Sequence, residues 1–285
     1  MGITYNVAVQ LAEDAERFCL GGEILTLGKQ DVLFKRDKLI KVLMETGHAS
    51  LNDDNTIKLK ICRPLLFTEE LEKNQGLSSN PVFKQRGCIS DRLFFGSLGL
   101  DVKSLDVSRY EGADYIYDLN DVNTPDSFKN RFDVIFDGGT IEHVFNVANT
   151  MSNIFAMLKT DGVVIHSTPS NNYVEHGFYQ FSPTFFYDYY STNNFDILEC
   201  LFTSHDGNLN ERWMSTKYYP GCFEGKLWTG CTGNNEYYSK GLDDKFYSTW
   251  FVARKTSKST GNKAPMQGLY MKTNNWRGEQ DVLLH

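Results

Sequence analysis

Apolar positions along this chain change their spacing in a way that marks out alternating elements. Val7, Leu11, Ala15 and Phe18 fall near one face of a 3.6-residue period, so 1–20 reads as an amphipathic helix. Gly21-Gly22 breaks it, and Glu23-Ile24-Leu25-Thr26-Leu27 predicts a short buried strand ending at Gly28. Another helix is predicted over 35–45. From Gly47 to Leu98 the pattern weakens: 52–55 is polar, 65–67 is apolar, and helical spacing returns at 90–98. After that the rhythm is regular. Strands are predicted over 102–105, 113–117, 132–136 and 162–166, with a helix over 147–158 that aligns Met151, Ile154, Phe155 and Leu158. Ser182-Pro183 opens a helix through Tyr190, as an N-cap followed by proline at the first helical position. Two last strands are predicted over 195–202 and 246–253.

Strands that alternate with helices predict a parallel sheet covered on both faces. The expected fold is α/β, a Rossmann-like and mostly parallel seven-stranded sheet with helices on both faces, plus insertions. Residues 1–255 read as a single domain. Its insertions, about 47–89 and 203–244, are candidates for a lid or substrate cap, since neither fits a short connection. Residues 256–285 read as a polar tail, loosely ordered up to Gly268-Leu269-Tyr270.

Composition narrows the class. With 285 residues, 41% hydrophobic and 14% aromatic, the chain can build a sizeable core. No apolar run approaches the roughly 20 residues needed to span a bilayer, and Glu13, Asp14 and Glu16 do not fit a secretory leader. A cytoplasmic protein without membrane association is expected. A formal charge of −7 argues against nucleic acid as the partner, because that affinity rests on Lys and Arg. The six cysteines form no C-x-x-C pair, which fits reduced thiols better than zinc or a disulfide framework. Nothing fixes the oligomeric state, and a homodimer is among the assemblies left open.

The candidate chemistry lies at the predicted strand ends, where an open parallel sheet binds ligands. Gly28 would let backbone approach a ligand closely. Asp106 and Asp118 could accept hydrogen bonds from a ribose or an adenine, and Asp137-Gly138-Gly139 again allows close approach. The stretch Phe132-Asp-Val-Ile-Phe-Asp-Gly-Gly-Thr-Ile-Glu-His-Val-Phe145 resembles the fourth-strand motif of class I S-adenosylmethionine-dependent methyltransferases. Leu158-Lys-Thr-Asp-Gly-Val-Val-Ile165 is similar to the segment leading into that family's fifth strand, and Asp118-Leu119-Asn120 to its third-strand motif facing adenine. These motifs cover about 102–186. The resemblance implies S-adenosylmethionine as cofactor, held by Gly28, Lys29, Gln30, Asp106, Asp118, Leu119, Asn120, Asp137, Gly138 and Gly139. A small-molecule or saccharide acceptor would be the partner.

Two departures from the family pattern stand out. Its first loop usually carries two or three glycines, whereas Leu25-Thr-Leu-Gly-Lys-Gln-Asp31 keeps only Gly28, so Lys29 and Gln30 would take over contacts. That loss also speaks against a dinucleotide, whose pyrophosphate needs the glycine-rich turn. The ribose acid, Asp106, lies far beyond the first loop, which implies an insertion between the first two strands.

The catalytic candidates are Glu142, His143 and His176. His143 could accept a proton from an acceptor hydroxyl, its ordinary pKa lying near neutrality; alternatively Glu142 and His143 only cap a helix or orient the donor. Relatives in quinone biosynthesis and small-RNA end methylation bind a divalent metal through Glu-x-x-Glu-His. Gly139 stands here where the first glutamate would be, which weighs against a metal. His176-Gly-Phe-Tyr-Gln-Phe-Ser-Pro183 resembles a segment of methyltransferases encoded near polysaccharide genes. It makes His176 the other candidate base, with Tyr179 and Gln180 contacting substrate, or else a turn histidine bonded to backbone. His166 reads as a sheet residue. Trp213, Tyr218, Tyr219 and Trp228 could stack on sugar faces, but fit the core of an insertion better. O-methylation is favoured because two histidines flank the pocket and the amide-recognition tetrapeptide Asn/Asp-Pro-Pro-Tyr is missing. The rivals are a non-catalytic adenosylmethionine-binding module and a nucleotide-sugar-binding enzyme.

Overall fold

The apolar runs separated by polar and glycine breaks form the strands of one sheet, and their continuous hydrophobicity requires cover on both faces. The computed structural model describes residues 2–53, 57–59, 76–208, 211–220 and 244–266. Numbered in chain order, the strands of the main sheet are β1 (Gly22–Leu27), β2 (Leu100–Asp106), β3 (Tyr115–Ile116), β4 (Phe132–Asp137), β5 (Leu158–Asn171), β6 (Asp196–His205), β7 (Met214–Lys217) and β8 (Phe246–Arg254). They lie side by side in the order 7-6-8-5-4-1-2-3. From β3 through β5 the neighbours are parallel. β8 enters antiparallel between β5 and β6, and β7 pairs antiparallel with β6 at the edge. The sheet therefore has eight strands rather than the seven expected. The extra strand, β7, lies inside the segment expected as an insertion, where the polar run Met-Ser-Thr-Lys has no apolar alternation to announce it.

The helices are α1 (Tyr5–Arg17), α2 (Arg36–Glu45), α3 (Pro81–Gln85), α4 (Asp91–Ser97), α5 (Val147–Met157) and α6 (Pro183–Thr192). One face of the sheet (Ile24, Val102, Val134, Phe136, Val163, Ile165, Trp250, Val252) packs under α1, α2 and α4. The alternate residues (Leu25, Leu27, Leu105, Ile135, Val164, Phe251, Ala253) face α5 and α6. This is the period-2 alternation of a strand buried on both sides. Caps fix the helix starts: Ser90 Oγ accepts from Leu93 N, and Ser182 Oγ from Thr184 N ahead of Pro183. Gly2–Ile3 pairs in parallel with Asp31–Val32, and Ala49–Leu51 with Ile57–Leu59 as a small antiparallel ladder.

β1 and β2 are parallel neighbours in the sheet although residues 28–99 separate them along the chain. Several element ends differ from expectation. The third strand shrinks to Tyr115–Ile116, and β5 starts at Leu158, which pairs with Phe132 instead of continuing α5. The segment after Lys255 does not leave the surface at once: Thr260 N and Lys263 N donate to Asn193, and Gly261 lies so close to Phe155 that a Cβ there would stand 2.5 Å from its ring. The apolar run 65–67, Trp228 and 268–270 lie outside the described residues. Cys19, Cys88 and Cys200 are thiols, not disulfides. Among the described residues, no helix is long and apolar enough to cross a membrane.

Candidate active site

Strand order reverses between β1 and β4: the chain adds β2 and β3 on one side of β1, then β4 and β5 on the other. The carboxyl ends of the strands at such a switch point form the crevice where open α/β sheets bind ligands. Four loops meet there, after β1, β2, β4 and β5.

The β1 loop turns at Gly28, whose φ of +71° favours glycine. A Cβ on it would stand 2.8 Å from Thr140 Oγ1, a hydroxyl that donates to Leu27 O, so the β1 and β4 loops touch at this glycine. Gln30 is buried; its Nε2 donates to Leu27 O, while its Oε1 has no partner. The carboxamide lies over Gly138, where a Cβ would stand 2.5 Å from that Oε1. Lys29 instead pairs with Asp91 at the start of α4, at 2.5 Å.

Asp106 ends β2 part-exposed, with Oδ1 accepting from Ser108 N. Asp118 Oδ1 accepts from the backbone and side-chain nitrogens of Asn120, and Asn120 in turn ties the loop to α5 through Asn146 N and Asn149 Nδ2. Leu119 is buried and its carbonyl accepts from Asn153 Nδ2. Asp137 does not face the crevice. Its carboxylate is fully covered, with Oδ1 accepting from Thr140 N and Ile141 N, and Oδ2 from the Nδ1–H of His166. Tyr190 completes that row, its hydroxyl donating to His166 Nε2 at 2.7 Å. Asp137 thus shapes the β4 turn from inside, and Gly138 and Gly139 (φ +92°) carry its backbone past the crevice.

The turn held by Asp137 is a single 3₁₀ turn, Ile141–His143. Ile141 is anchored in the core and Glu142 is fully buried. Glu142 O accepts from Phe178 N and Tyr179 N, which lashes the β5 loop to the β4 turn. Gly177 permits that closeness, since a Cβ there would stand 2.8 Å from the same oxygen. The lashing brings His176 beside His143, with ring centroids 5.1 Å apart. Glu142 Oε1 lies 3.5 Å from His176 Nε2 and 3.7 Å from His143 Nε2, and all three donor atoms lie within 4.8 Å of one another. Burial, reinforced by Asp137, pushes the Glu142 carboxyl up to about 8. Burial lowers both imidazoles, His143 further through its neighbour His176. Every member of the cluster is therefore biased towards its neutral form. Phe145 and Phe178, exposed and edge-to-face at 5.6 Å, rim it.

The structure thus brings Glu142, His143 and His176 together from two loops, and sets Gly28, Gln30 and Gly138 in a second group. Tyr179 and Gln180 are taken up by loop contacts: Tyr179 Oη donates across to Phe145 O of the β4 loop, and Gln180 Oε1 accepts from Tyr173 N within the β5 loop. Tyr173 carries no sequence signal, yet its ring lies 5.6 Å from His176 and its hydroxyl bonds His205 Nε2 and Ser248 Oγ at 3.2 Å. Those partners come together because β8 pairs with β5 on one side and β6 on the other. Trp213 stacks on His205 and Tyr218 packs on Tyr187, whereas Tyr219 is exposed.

Residues 86–214 match a family model described as "Methyltransferase domain". A search of curated proteins gave no match. Among solved structures, the chain is similar to the 1,6-didemethyltoxoflavin-N1-methyltransferase of Burkholderia thailandensis, at 10% identity and a TM-score of 0.38, covering 88% of this chain and 80% of that one. It is also similar to a SAM-dependent methyltransferase from Archaeoglobus fulgidus, at 10% identity and a TM-score of 0.39 over 87% of this chain and 94% of that one. TehB from Haemophilus influenzae is similar at 16% identity and a TM-score of 0.36, over 57% and 53% respectively.

Proposed function

We propose that the protein is an S-adenosylmethionine-dependent methyltransferase that methylates a hydroxyl oxygen of a small molecule, with saccharides as the acceptor class. One observation carries this reading. At the switch point between β1 and β4, the glycine-bearing loops of Gly28 and Gly138 lie one turn away from a Glu–His–His cluster, in a chain matching a methyltransferase domain over 86–214.

The residues present fit the methyl donor. Gly28 and Gly138 let the β1 and β4 loops close on each other beside the crevice, and the unpartnered, buried Gln30 Oε1 is an acceptor suited to the donor's ammonium group. Asp106 has a part-exposed carboxylate able to accept from ribose hydroxyls, and the Asp118 loop is the candidate for the adenine end. Bound adenosylmethionine supplies an electrophilic methyl on sulfur: as the O–CH₃ bond forms, the S–CH₃ bond breaks and its electron pair stays on sulfur. The chain positions the acceptor and takes its proton. His143 or His176, kept neutral by burial, can accept it, and Glu142 lies within 4 Å of both rings to orient them. Holding the two reactants in line can account for several kcal/mol of the barrier.

Thermal unfolding with adenosylhomocysteine, NAD or a nucleotide sugar tests the donor. At about a hundredfold excess over its dissociation constant, a native-state ligand adds ~2.7 kcal/mol, which raises the midpoint by several degrees in a chain of this size. Stabilisation by adenosylhomocysteine alone is expected, followed by transfer of labelled methyl to saccharide acceptors. A cooperative transition indifferent to adenosylhomocysteine would overturn the reading. Donor binding without turnover on any acceptor would favour a non-catalytic module.

A further inference from the structure

Glu142 has a carboxylate that the protein buries completely and leaves without a hydrogen-bond donor on either oxygen. Buried carboxylates are otherwise paired, hydrogen-bonded or bound to a metal. His176 Nε2 is in the same condition, buried and without a hydrogen-bond partner, and it points at Glu142 Oε1 from 3.5 Å. His143 Nε2 faces the same oxygen from the other side at 3.7 Å. These atoms converge on a common point instead of bonding one another, since both distances exceed a hydrogen bond.

We infer that Glu142, His143 and His176 form a binding site for a divalent transition-metal cation, with zinc as the best-matched ion. The donor set of two imidazoles and one carboxylate suits zinc and its neighbours, whereas magnesium and calcium take oxygen ligands. Ligands ~2.1 Å from a tetrahedral metal stand ~3.4 Å apart. The Glu142–His176 edge already meets that spacing, and the Glu142–His143 edge exceeds it by a few tenths of an ångström. His143, with its side chain 45% exposed, has the freedom to close the third edge. The His176 side is prearranged, because Phe178 N and Tyr179 N fix the β5 loop onto Glu142 O.

Three protein ligands leave a fourth position for water or an acceptor oxygen, the arrangement of catalytic zinc sites. This deepens the proposed function and rests on its acceptor end. A cation here would polarise the acceptor hydroxyl and ease loss of its proton to solvent, and it would make both histidines ligands in place of bases. The missing glutamate at Gly139 does not remove the site, because His176 arrives from the β5 loop to supply the third donor.

The test uses the full chain, stripped with a chelator and then equilibrated with Zn²⁺. Elemental analysis measures stoichiometry, a competing chromophoric chelator measures affinity, and Co²⁺ in place of Zn²⁺ reports coordination through its visible d–d bands. Wild type is expected to bind about one equivalent. Glu142→Gln, His143→Ala and His176→Ala should each weaken binding by more than the roughly 10–100-fold that loss of an outer partner costs, and should change the Co²⁺ spectrum. Because His143 is an exposed side chain, His143→Ala keeps the test valid if Glu142→Gln fails to fold. Substoichiometric metal in wild type, or equal binding by a His143→Ala/His176→Ala double variant, would overturn the inference, the latter showing a surface site only. Adenosylhomocysteine binding is measured on the same samples. Metal bound without adenosylhomocysteine would sink the donor reading alone, and the reverse result would sink the metal site alone.

Discussion

At the scale of single residues, the molecule separates groups that shape the crevice from groups that face it. Asp137 and Glu142 are both fully buried carboxylates near the end of β4, yet their surroundings differ. The Asp137 carboxylate accepts two backbone N–H groups and the His166 imidazole, whereas the Glu142 carboxylate accepts nothing. The first is a structural part and the second is poised for a ligand or a proton. The Asp137–His166–Tyr190 row lies in the core between β4, β5 and α6, where an unsatisfied polar atom costs about 1–3 kcal/mol. Tyr190→Phe keeps the ring stacked on Phe251 at 5.1 Å but strips His166 Nε2 of its donor. The expected outcome is a loss of about 1–3 kcal/mol in urea unfolding, with adenosylhomocysteine affinity unchanged. A variant as stable as wild type would mean that the hydroxyl contributes nothing.

At the scale of elements, the cluster depends on two loops held by one carbonyl. Glu142 O accepts both Phe178 N and Tyr179 N, and Gly177 is the residue that lets the strand-end loop come so close. In Gly177→Ala the new methyl would meet that oxygen at 2.8 Å, so the loop must lift. Overpacking of this kind costs typically 1–3 kcal/mol. Hydrogen exchange should then show faster exchange at Phe178 and Tyr179, with the strand amides of β4 and β5 unaffected; unchanged protection of the two loop amides would refute the clamp. Elements of this kind also mark the limit of what the sequence discloses. The helix starts at Ser90 and Ser182 were legible because capping is local, and β1, β2 and β4 because their apolar runs end at charged or glycine residues, whereas only the middle of β5 was legible. β7 was not, since its four exposed residues pair with β6 without burying a face. Glu142, His143 and His176 were each legible as candidates, but their convergence was not. It depends on a carbonyl accepting two amides some 36 residues away, and no spacing rule encodes that. Likewise Asp137 read as a crevice residue because a strand-ending acid usually faces solvent, whereas His166, opposite it across the β4–β5 pairing, draws it inward.

At the scale of the whole molecule, a further buried carboxylate, on α1 and remote in sequence from the cluster, ties that helix to the antiparallel edge of the sheet. Asp14 is fully buried; Trp250 Nε1 on β8 and Gln10 Nε2 donate to it, and Arg17 pairs with it at 2.8 Å. Glu199 on β6 faces the same group and shares Arg17. Burial, with Glu199 adding to it, outweighs the attraction of Arg17 and pushes the Asp14 carboxyl from 3.8 up to about 7. The folded state therefore holds this proton over a range where the unfolded chain has lost it. Stability from this group is fully present below about pH 4, declines as pH rises towards 7, and levels off above. In that window one retained proton gives a slope of ~1.4 kcal/mol per pH unit. Glu142, also raised, contributes in the same direction and is untouched by a change at Asp14. Asp14→Asn removes one of the two protons while keeping an acceptor for the indole. Urea unfolding of both proteins at pH 5, 6, 7 and 8 should show a variant whose stability falls less steeply between pH 5 and 7, so that its deficit relative to wild type shrinks as pH rises. Parallel curves would mean that Asp14 ionises in the folded protein as readily as in the unfolded chain, and that the Arg17 pair, not burial, governs this joint between α1 and the sheet.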